Sequence, residues 1–75
     1  MDREKLSNIV SYQVRSRRWA RNMSLTQLGI KIGAAPTVIW QWEQGIHLPN
    51  SWYLYRLADV FGCSTDDLLG RTNDG

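Results

Sequence analysis

Apolar residues at the start of the chain recur three and four positions apart, the spacing that places side chains on one face of an α-helix. The residues of this stripe are Leu6, Ile9, Val10 and Val14. The pattern predicts a first helix from about Leu6 to Arg21, after a charged lead-in, residues 1–5, that is expected to be frayed. Asn22 suits the end of this helix because asparagine tolerates a left-handed backbone.

A second helix is predicted to begin after Ser24. Ser24 and Gln27 have the spacing of a capping box, in which each side chain bonds the backbone amide of the other residue. Leu28 and Ile32 lie four apart and would form the apolar face of this helix. Gly33 is expected to end it, since glycine tolerates the positive φ that commonly follows a helix.

A third helix is predicted from Pro36 to about Gln44, ending before Gly45. Proline is tolerated best at the first helical position, where its missing N–H would have no intrahelical partner. Ile39 and Trp42 give this helix an inward face. The remaining side chains point elsewhere: Thr37, Trp40, Gln41 and Gln44.

Two further helices follow. Asn50 is a suitable N-cap for a helix that runs to about Phe61 and buries one face: Leu54, Leu57, Ala58 and Phe61. Ser64 is a suitable N-cap for a last short helix, in which Asp66 and Asp67 lie favourably at the positive end of the helix dipole. The pattern predicts an all-α fold, a compact bundle of five short helices over residues 6–70, with a polar tail over residues 71–75.

Composition limits the classes of protein that fit. The 75 residues suffice for one domain, and 43% hydrophobic residues with four tryptophans can form a core. No apolar run is long enough to span a membrane, and the first residues lack the apolar stretch of a secretion signal, so a cytoplasmic protein is expected. The single cysteine, Cys63, can form no internal disulfide and is expected to pack as a small apolar residue.

No arrangement of residues suggests catalysis. The one histidine and one cysteine form neither a nucleophile motif nor a metal site, and no glycine-rich loop could hold a phosphate-bearing cofactor. We therefore expect no enzyme activity, no metal, no cofactor and no small-molecule ligand.

Positive charge is concentrated in one segment. The net charge is only +2, but four arginines fall within seven residues: Arg15, Arg17, Arg18 and Arg21. Acidic residues instead gather near the C-terminus. This asymmetry suits a protein that turns one face toward phosphate; the alternative is a basic helix face that is merely solvated.

Two short helices joined by a glycine-containing turn, with an outward row of polar side chains, are typical of a DNA-binding helix-turn-helix. The motifs LxIxIG, IxxWEQG, P, LxxLA, FG and STDDLLG occur in this order. From about Val14 to Gly70 the chain resembles the Cro/cI-type helix-turn-helix family of phage repressors and bacterial regulators, also described as XRE-like or lambda-repressor-like.

The resemblance implies base contacts from the third helix. It places Pro36, Thr37 and Gln41 at base edges in the major groove. Gln41 can pair with adenine through two hydrogen bonds, and Thr37 can hydrogen-bond or touch a thymine methyl. Trp40 is also assigned to this set, although three roles are open for it: lying against sugar or a thymine methyl, binding another protein, or folding back over arginine side chains or the first helix.

Phosphate contacts are expected around these helices. The assigned residues are Arg15, Arg17, Arg18, Ser24, Leu25, Gln44, His47, Asn50 and Trp52. At Leu25, where many family members carry a glutamine that touches phosphate, the contact is assigned to backbone amides of the helix N-terminus and to Ser24. For His47 a surface or capping role is the alternative, and for Trp52 a place in the core. The segment after Gly45 lacks the lysine or arginine that relatives often carry, which predicts a shallow salt dependence of binding.

The resemblance also implies an ion pair. In the family an arginine at the position of Arg18 often pairs with the glutamate of the WE motif, which is Glu43 here. We expect this pair to be partly buried and to link the first helix to the third.

The function that the resemblance implies is sequence-specific binding of double-stranded DNA by a small transcriptional regulator, a repressor acting as a homodimer on a palindromic operator. Trp52, Tyr55 or the fifth helix are candidate dimer surfaces. The alternative is a helix-turn-helix fold used as a protein-interaction module, similar to an antirepressor, through the apolar face around Trp40.

Overall fold

A computed structural model describes residues 2–71. Five α-helices follow one another along this part of the chain: α1 (Arg3–Ala20), α2 (Leu25–Ile32), α3 (Pro36–Glu43), α4 (Ser51–Phe61) and α5 (Thr65–Leu69). The predicted all-α class and the order of the five helices are confirmed. None of the helices within residues 2–71 combines the length and apolarity that a membrane span needs.

Side-chain caps define where the helices begin. In α2 the Ser24 hydroxyl accepts from the Gln27 amide at 3.0 Å, and the Gln27 carboxamide oxygen accepts from the Ser24 amide at 2.8 Å, so the predicted capping box is present. The Asn50 side chain caps α4 by accepting from the Tyr53 amide at 3.0 Å. Ser64 caps α5 as expected. These starts follow from local sequence because the cap and the capped amide lie within one turn.

The predicted start of α1 was three residues late. The helix begins at Arg3, because the Asp2 carboxylate accepts from the Lys5 amide at 2.8 Å and acts as N-cap. Residues 3–5 of the expected lead-in therefore form the first turn. Met1, and residues 72–75 of the expected tail, lie outside the described residues. At the other end of α1, Asn22 adopts the expected left-handed conformation, with φ 54°.

The core lies where the apolar faces of all five helices meet. Its buried residues are Val10, Val14, Leu28, Ile32, Ile39, Trp42, Leu57, Ala58, Phe61 and Leu68. Leu54, which was expected to be buried, is half-buried against this core because it lies one turn nearer the exposed start of α4. The helix face predicted for α3 is correct, although α3 ends at Glu43 and Gln44 is its C-cap.

Gly29 fixes the turn between α2 and α3. A Cβ atom at this position would overlap the carbonyl oxygen of Ala34, and it would lie 3.6 Å from Cδ1 of Ile39. The absence of a side chain therefore lets the turn fold directly against α2. Gly33, in the left-handed region at φ 78°, begins this turn.

Candidate nucleic-acid interface

The solvent-facing side of α3 carries a row of polar side chains. Thr37, Gln41 and Gln44 are four and three residues apart and so lie on one side of the helix. Thr37 and Gln44 are exposed and Gln41 is half-buried, whereas Ile39 and Trp42 are buried on the opposite side. The polar row therefore presents one hydroxyl and two carboxamides, groups that both donate and accept hydrogen bonds.

An apolar pair lies beside this polar row. Pro36 and Trp40 are four residues apart on α3 and share a helix face. Pro36 is exposed, and 47% of the Trp40 surface is accessible. Among the described residues, arginine guanidinium groups lie over the rings of Trp19, Trp52 and Phe61. No cation–π contact within that part of the chain involves Trp40, so nothing here favours the alternative in which arginine side chains cover its ring.

Arg18 and Glu43 form the expected ion pair between α1 and α3. Nε of Arg18 donates to Oε2 of Glu43 at 2.7 Å, and Nη2 donates to Oε1 at 2.8 Å. Only 12% of the Arg18 side chain and 4% of the Glu43 side chain are exposed. The hydrogen bond to Glu43 raises the pKa of Arg18 above its ordinary value, so the guanidinium keeps its charge. Little of Arg18 is left accessible for a phosphate.

Two further hydrogen bonds extend this junction. Nη1 of Arg18 donates to the carbonyl of Met23 at 2.9 Å, directly before the N-cap of α2. The Ser11 hydroxyl donates to the carbonyl of Glu43 at the end of α3. The start of α2 and the end of α3 are thus both attached to α1, which fixes how the two helices are presented to solvent.

Arg15 lies on the α3 side of α1. It is four residues after Ser11 and three before Arg18, both of which contact Glu43, so it follows the same side of the helix. It is half-buried, and its guanidinium lies 5.8 Å from the centre of the Trp19 ring. Of the phosphate contacts expected from α1, Arg15 is the cation best placed beside α3.

Arg17 does not join this surface. Its Nε donates to Oε1 of Gln13 at 2.9 Å, and its charge adds to the Ser64 hydrogen bonds that lower the pKa of Asp67 in α5. Arg21, one turn later, donates to the carbonyl of Phe61 and lies 5.3 Å from the centre of that ring. Because successive helical residues are rotated by about 100°, the arginines that cluster in sequence divide between two sides of α1.

The start of α2 offers backbone donors. The amides of its first turn, including that of Leu25, have no intrahelical acceptor. The Leu25 side chain packs against the core, so only its amide is available for an anion. The Ser24 hydroxyl is exposed and accepts from Gln27, which leaves its own proton free to donate.

The loop after α3 is mainly apolar. Ile46 and His47 are exposed and Leu48 is half-buried against the core. Asn50 is exposed, and its side-chain oxygen is engaged as the N-cap of α4. His47 is the one basic residue in residues 45–50.

Trp52 lies in the first turn of α4 and is 59% exposed, so it does not extend the core. The residue that holds Trp52 was not predicted: the guanidinium of Arg56 lies 5.7 Å from the centre of the Trp52 ring and donates to the carbonyl of Lys31 at 2.8 Å. The spacing of four residues between Trp52 and Arg56 is a weak signal of this contact. The bond to α2 has no signal in the sequence.

This arrangement, in which α2 and α3 form two helices of a five-helix domain and α3 presents a polar face, is that of a lambda-repressor-like helix-turn-helix protein. The chain belongs to the helix-turn-helix family, whose model matches residues 14–68. The structure is similar to that of the P22 c2 repressor protein, solved in complex with the synthetic operator 9T in the presence of Tl+. The identity is 30%, the alignment covers 84% of this chain and 96% of that chain, and the TM-score is 0.80.

The resemblance predicted from the sequence motifs is therefore confirmed. No curated protein sequence matches this chain significantly. The matched range spans α2 and α3 entirely and includes the Arg18–Glu43 junction.

Proposed function

We propose that this protein binds double-stranded DNA sequence-specifically through α3 and acts as a small transcriptional repressor. The observation that carries the proposal is the polar row Thr37–Gln41–Gln44, which α1 holds toward solvent through the Arg18–Glu43 pair. A carboxamide can bond the N6 and N7 atoms of adenine together, and a threonine can bond a base edge or touch a thymine methyl. Among known structures, the similar P22 c2 repressor was solved with an operator.

Phosphate contacts would surround α3. Arg15 supplies a full charge from α1, and Ser24 with the amide of Leu25 supplies hydrogen-bond donors from the start of α2. His47 and Trp52 follow on the other side, in the loop and at the start of α4. Such contacts orient the protein on the duplex while α3 selects the sequence.

The active form would be a homodimer. One short recognition helix reads few base pairs, whereas a two-fold pair reads a palindromic operator whose half-sites lie about 34 Å apart or a multiple of that distance. Trp52 and Tyr55 supply exposed aromatic surface for such pairing, and α5 is the other candidate. We propose a cytoplasmic location, where such a regulator would meet its DNA.

A second candidate function is a protein-interaction module. It is favoured by exposed apolar groups on α3 and in the loop that follows it, because Trp40 and Ile46 are both exposed and residues 45–50 contain no lysine or arginine. In this case Pro36 and Trp40 would contact a partner protein.

Selection from a randomised duplex pool separates the two functions. The purified protein is used in about 100 mM salt, with Thr37→Ala/Gln41→Ala as the test variant and Glu4→Ala, an exposed residue of α1 outside the assigned contacts, as the control. A two-fold-symmetric motif that the control retains and the double variant loses supports a dimeric repressor. Absence of enrichment, with residual binding that disappears as salt is raised, contradicts sequence-specific DNA binding and directs the search to a protein partner.

A further inference from the structure

A cleft lies between α2 and the segment that follows α1. Its volume is about 330 Å³, near the lower end of the range for ligand pockets, roughly 300–1,000 Å³. It is open to solvent, so it can accept a side chain and a short stretch of a larger molecule. None of the described residues that line it is acidic: Arg21, Asn22, Met23, Gln27, Ile30 and Lys31.

Ile30 forms the apolar wall of the cleft. It is 78% exposed, the largest exposed fraction of any large hydrophobic residue within residues 2–71. Ile30 lies two positions from both Leu28 and Ile32, which are buried, so it points away from the core. Met23 is half-buried against the core and forms the inner part of the same surface. An apolar group of a partner placed here would remove the Ile30 side chain from water.

Two cations border this apolar surface. Arg21 and Lys31 are both exposed, and neither forms an ion pair within the part of the chain that the structure describes. The guanidinium of Arg21 instead donates to the carbonyl oxygens of Arg17 and Phe61, which hold it in place without neutralising its charge. The cleft therefore combines a positive rim with an aliphatic wall.

The cleft lies away from the side of α2 that contacts α3. Gly29 faces the turn before α3, and Lys31, two residues later, is about 200° further round the helix. The Lys31 carbonyl accepts from Arg56 of α4, and Arg21 contacts α4 at Phe61. The cleft is thus on the α4 side of α2, and a molecule bound there need not cover α3.

From these features we infer that the cleft binds an acidic segment of a partner protein. An apolar side chain of the partner lies against Ile30 and Met23, and its carboxylates lie beside Arg21 and Lys31. Charge complementarity selects this occupant, since the rim is positive and the lining contains no acid among the described residues. The phosphates of a DNA duplex would match the charge but not the isoleucine. The inference adds a second binding surface and does not depend on the proposed function.

Selection from a displayed library of random peptides, with the purified protein and no DNA, tests the inference. The enriched peptides should combine acidic residues with a large apolar residue. Ile30→Ser should weaken binding of the selected peptide about tenfold, the effect of leaving one aliphatic side chain in water. Ile46→Ser alters another exposed isoleucine, in the loop after α3, and is the matched control that should bind as the parent does.

The charge is tested separately. Lys31→Gln should weaken binding of the acidic peptide about threefold, as for the loss of one exposed ion pair. Lys5→Gln, at an exposed lysine in the first turn of α1, should leave it unchanged. A peptide whose carboxylates are all replaced by carboxamides should bind the parent and Lys31→Gln equally. Because the substituted side chains are exposed, the variants should fold as the parent does.

Other occupants of the cleft give different results. Failure to enrich acidic peptides, or equal peptide binding by the parent and Ile30→Ser, overturns the inference. Self-association of the protein that Ile30→Ser abolishes would make a second copy the occupant. A slope of log K against log salt for DNA that Lys31→Gln lowers by about 0.9 would make it a phosphate of the duplex. Each of these last two results also overturns the assignment of an acidic protein partner.

Discussion

The carboxylate of Glu43 accepts two hydrogen bonds from the guanidinium of Arg18, at 2.7 and 2.8 Å, across the interface between α1 and α3, although the two residues are 25 apart in sequence. Both side chains are almost fully withdrawn from water. Two parallel N–H···O bonds match the planar guanidinium to the planar carboxylate, which gives the contact a fixed direction as well as strength. Loss of either partner leaves a charge without its counterpart in the protein interior.

Glu43→Ala should therefore lower the free energy of unfolding by about 3 kcal/mol. Denaturant unfolding followed by circular dichroism measures the change. Glu4→Ala, an exposed acid in α1, is the control and should change stability by less than about 0.5 kcal/mol. An unfolding midpoint for Glu43→Ala equal to that of the parent would show that the pair contributes nothing.

Gly29→Ala should destabilise the turn between α2 and α3, because the added methyl would overlap the carbonyl oxygen of Ala34. The expected loss is about 1–3 kcal/mol, as for overpacking in a dense interior. Gly33→Ala is the contrasting variant, because its added methyl group would meet no atom within 4 Å, whereas the backbone at position 33 has a positive φ of +78°. Asparagine tolerates this backbone conformation, so Gly33→Asn should be more stable to unfolding than Gly33→Ala. At position 29, where the limit is steric, asparagine should be no more stable than alanine. The opposite order would contradict these separate roles of Gly29 and Gly33.

Acid unfolding should depend on Asp67. The amide of Ser64 donates to Oδ2 of Asp67 at 3.1 Å, and this bond, with the Ser64 hydroxyl and the charge of Arg17, lowers the pKa of Asp67. A carboxyl group whose pKa is lower in the folded state stabilises the fold above its unfolded pKa, about 3.9. This contribution is lost as the pH falls through the lower folded value.

Asp67→Asn should consequently reduce the pH dependence of stability below about pH 4. The measurement is the urea midpoint at successive pH values. Asp59→Asn, an exposed acid on α4, is the matched control. Parallel pH profiles for the parent and Asp67→Asn would argue against this role of the α5 cap.

Arg15 and Arg17 should differ in their effect on DNA binding. Arg15 follows the side of α1 that contacts α3, whereas Arg17 faces α5. Arg15→Ala should reduce affinity for all duplexes and lower the slope of log K against log salt by about 0.9, the value for one phosphate contact. Arg17→Ala should leave the slope unchanged. Equal losses from the two variants would mean that the DNA also contacts the α5 side of α1.

The parts of the structure that the sequence predicted are those determined within one turn of helix. Ser24, Asn50 and Ser64 each cap a helix at the expected place, because the cap and its amide are three residues apart. Asp2 acts in the same way but was overlooked within a run of mixed charge, so the start of α1 was misplaced.

Contacts between distant segments were harder to predict. The pairing of Arg18 with Glu43 was accessible through the family resemblance, whereas the division of the arginine cluster depends on which side of α1 meets α3 and which meets α5. The bond from Arg56 to the carbonyl of Lys31 depends on how α4 packs on α2, and no local pattern encodes it.

The hydrogen bond from Arg18 to the carbonyl of Met23 has a consequence for recognition. It joins α1 to the residue that precedes α2, and the same guanidinium holds the end of α3. The orientation of α3 is thereby set by the fold, and its rotational freedom is restricted before any partner binds. A preorganised surface loses less entropy on association, which in the proposed function would help an eight-residue helix with few polar side chains to bind selectively.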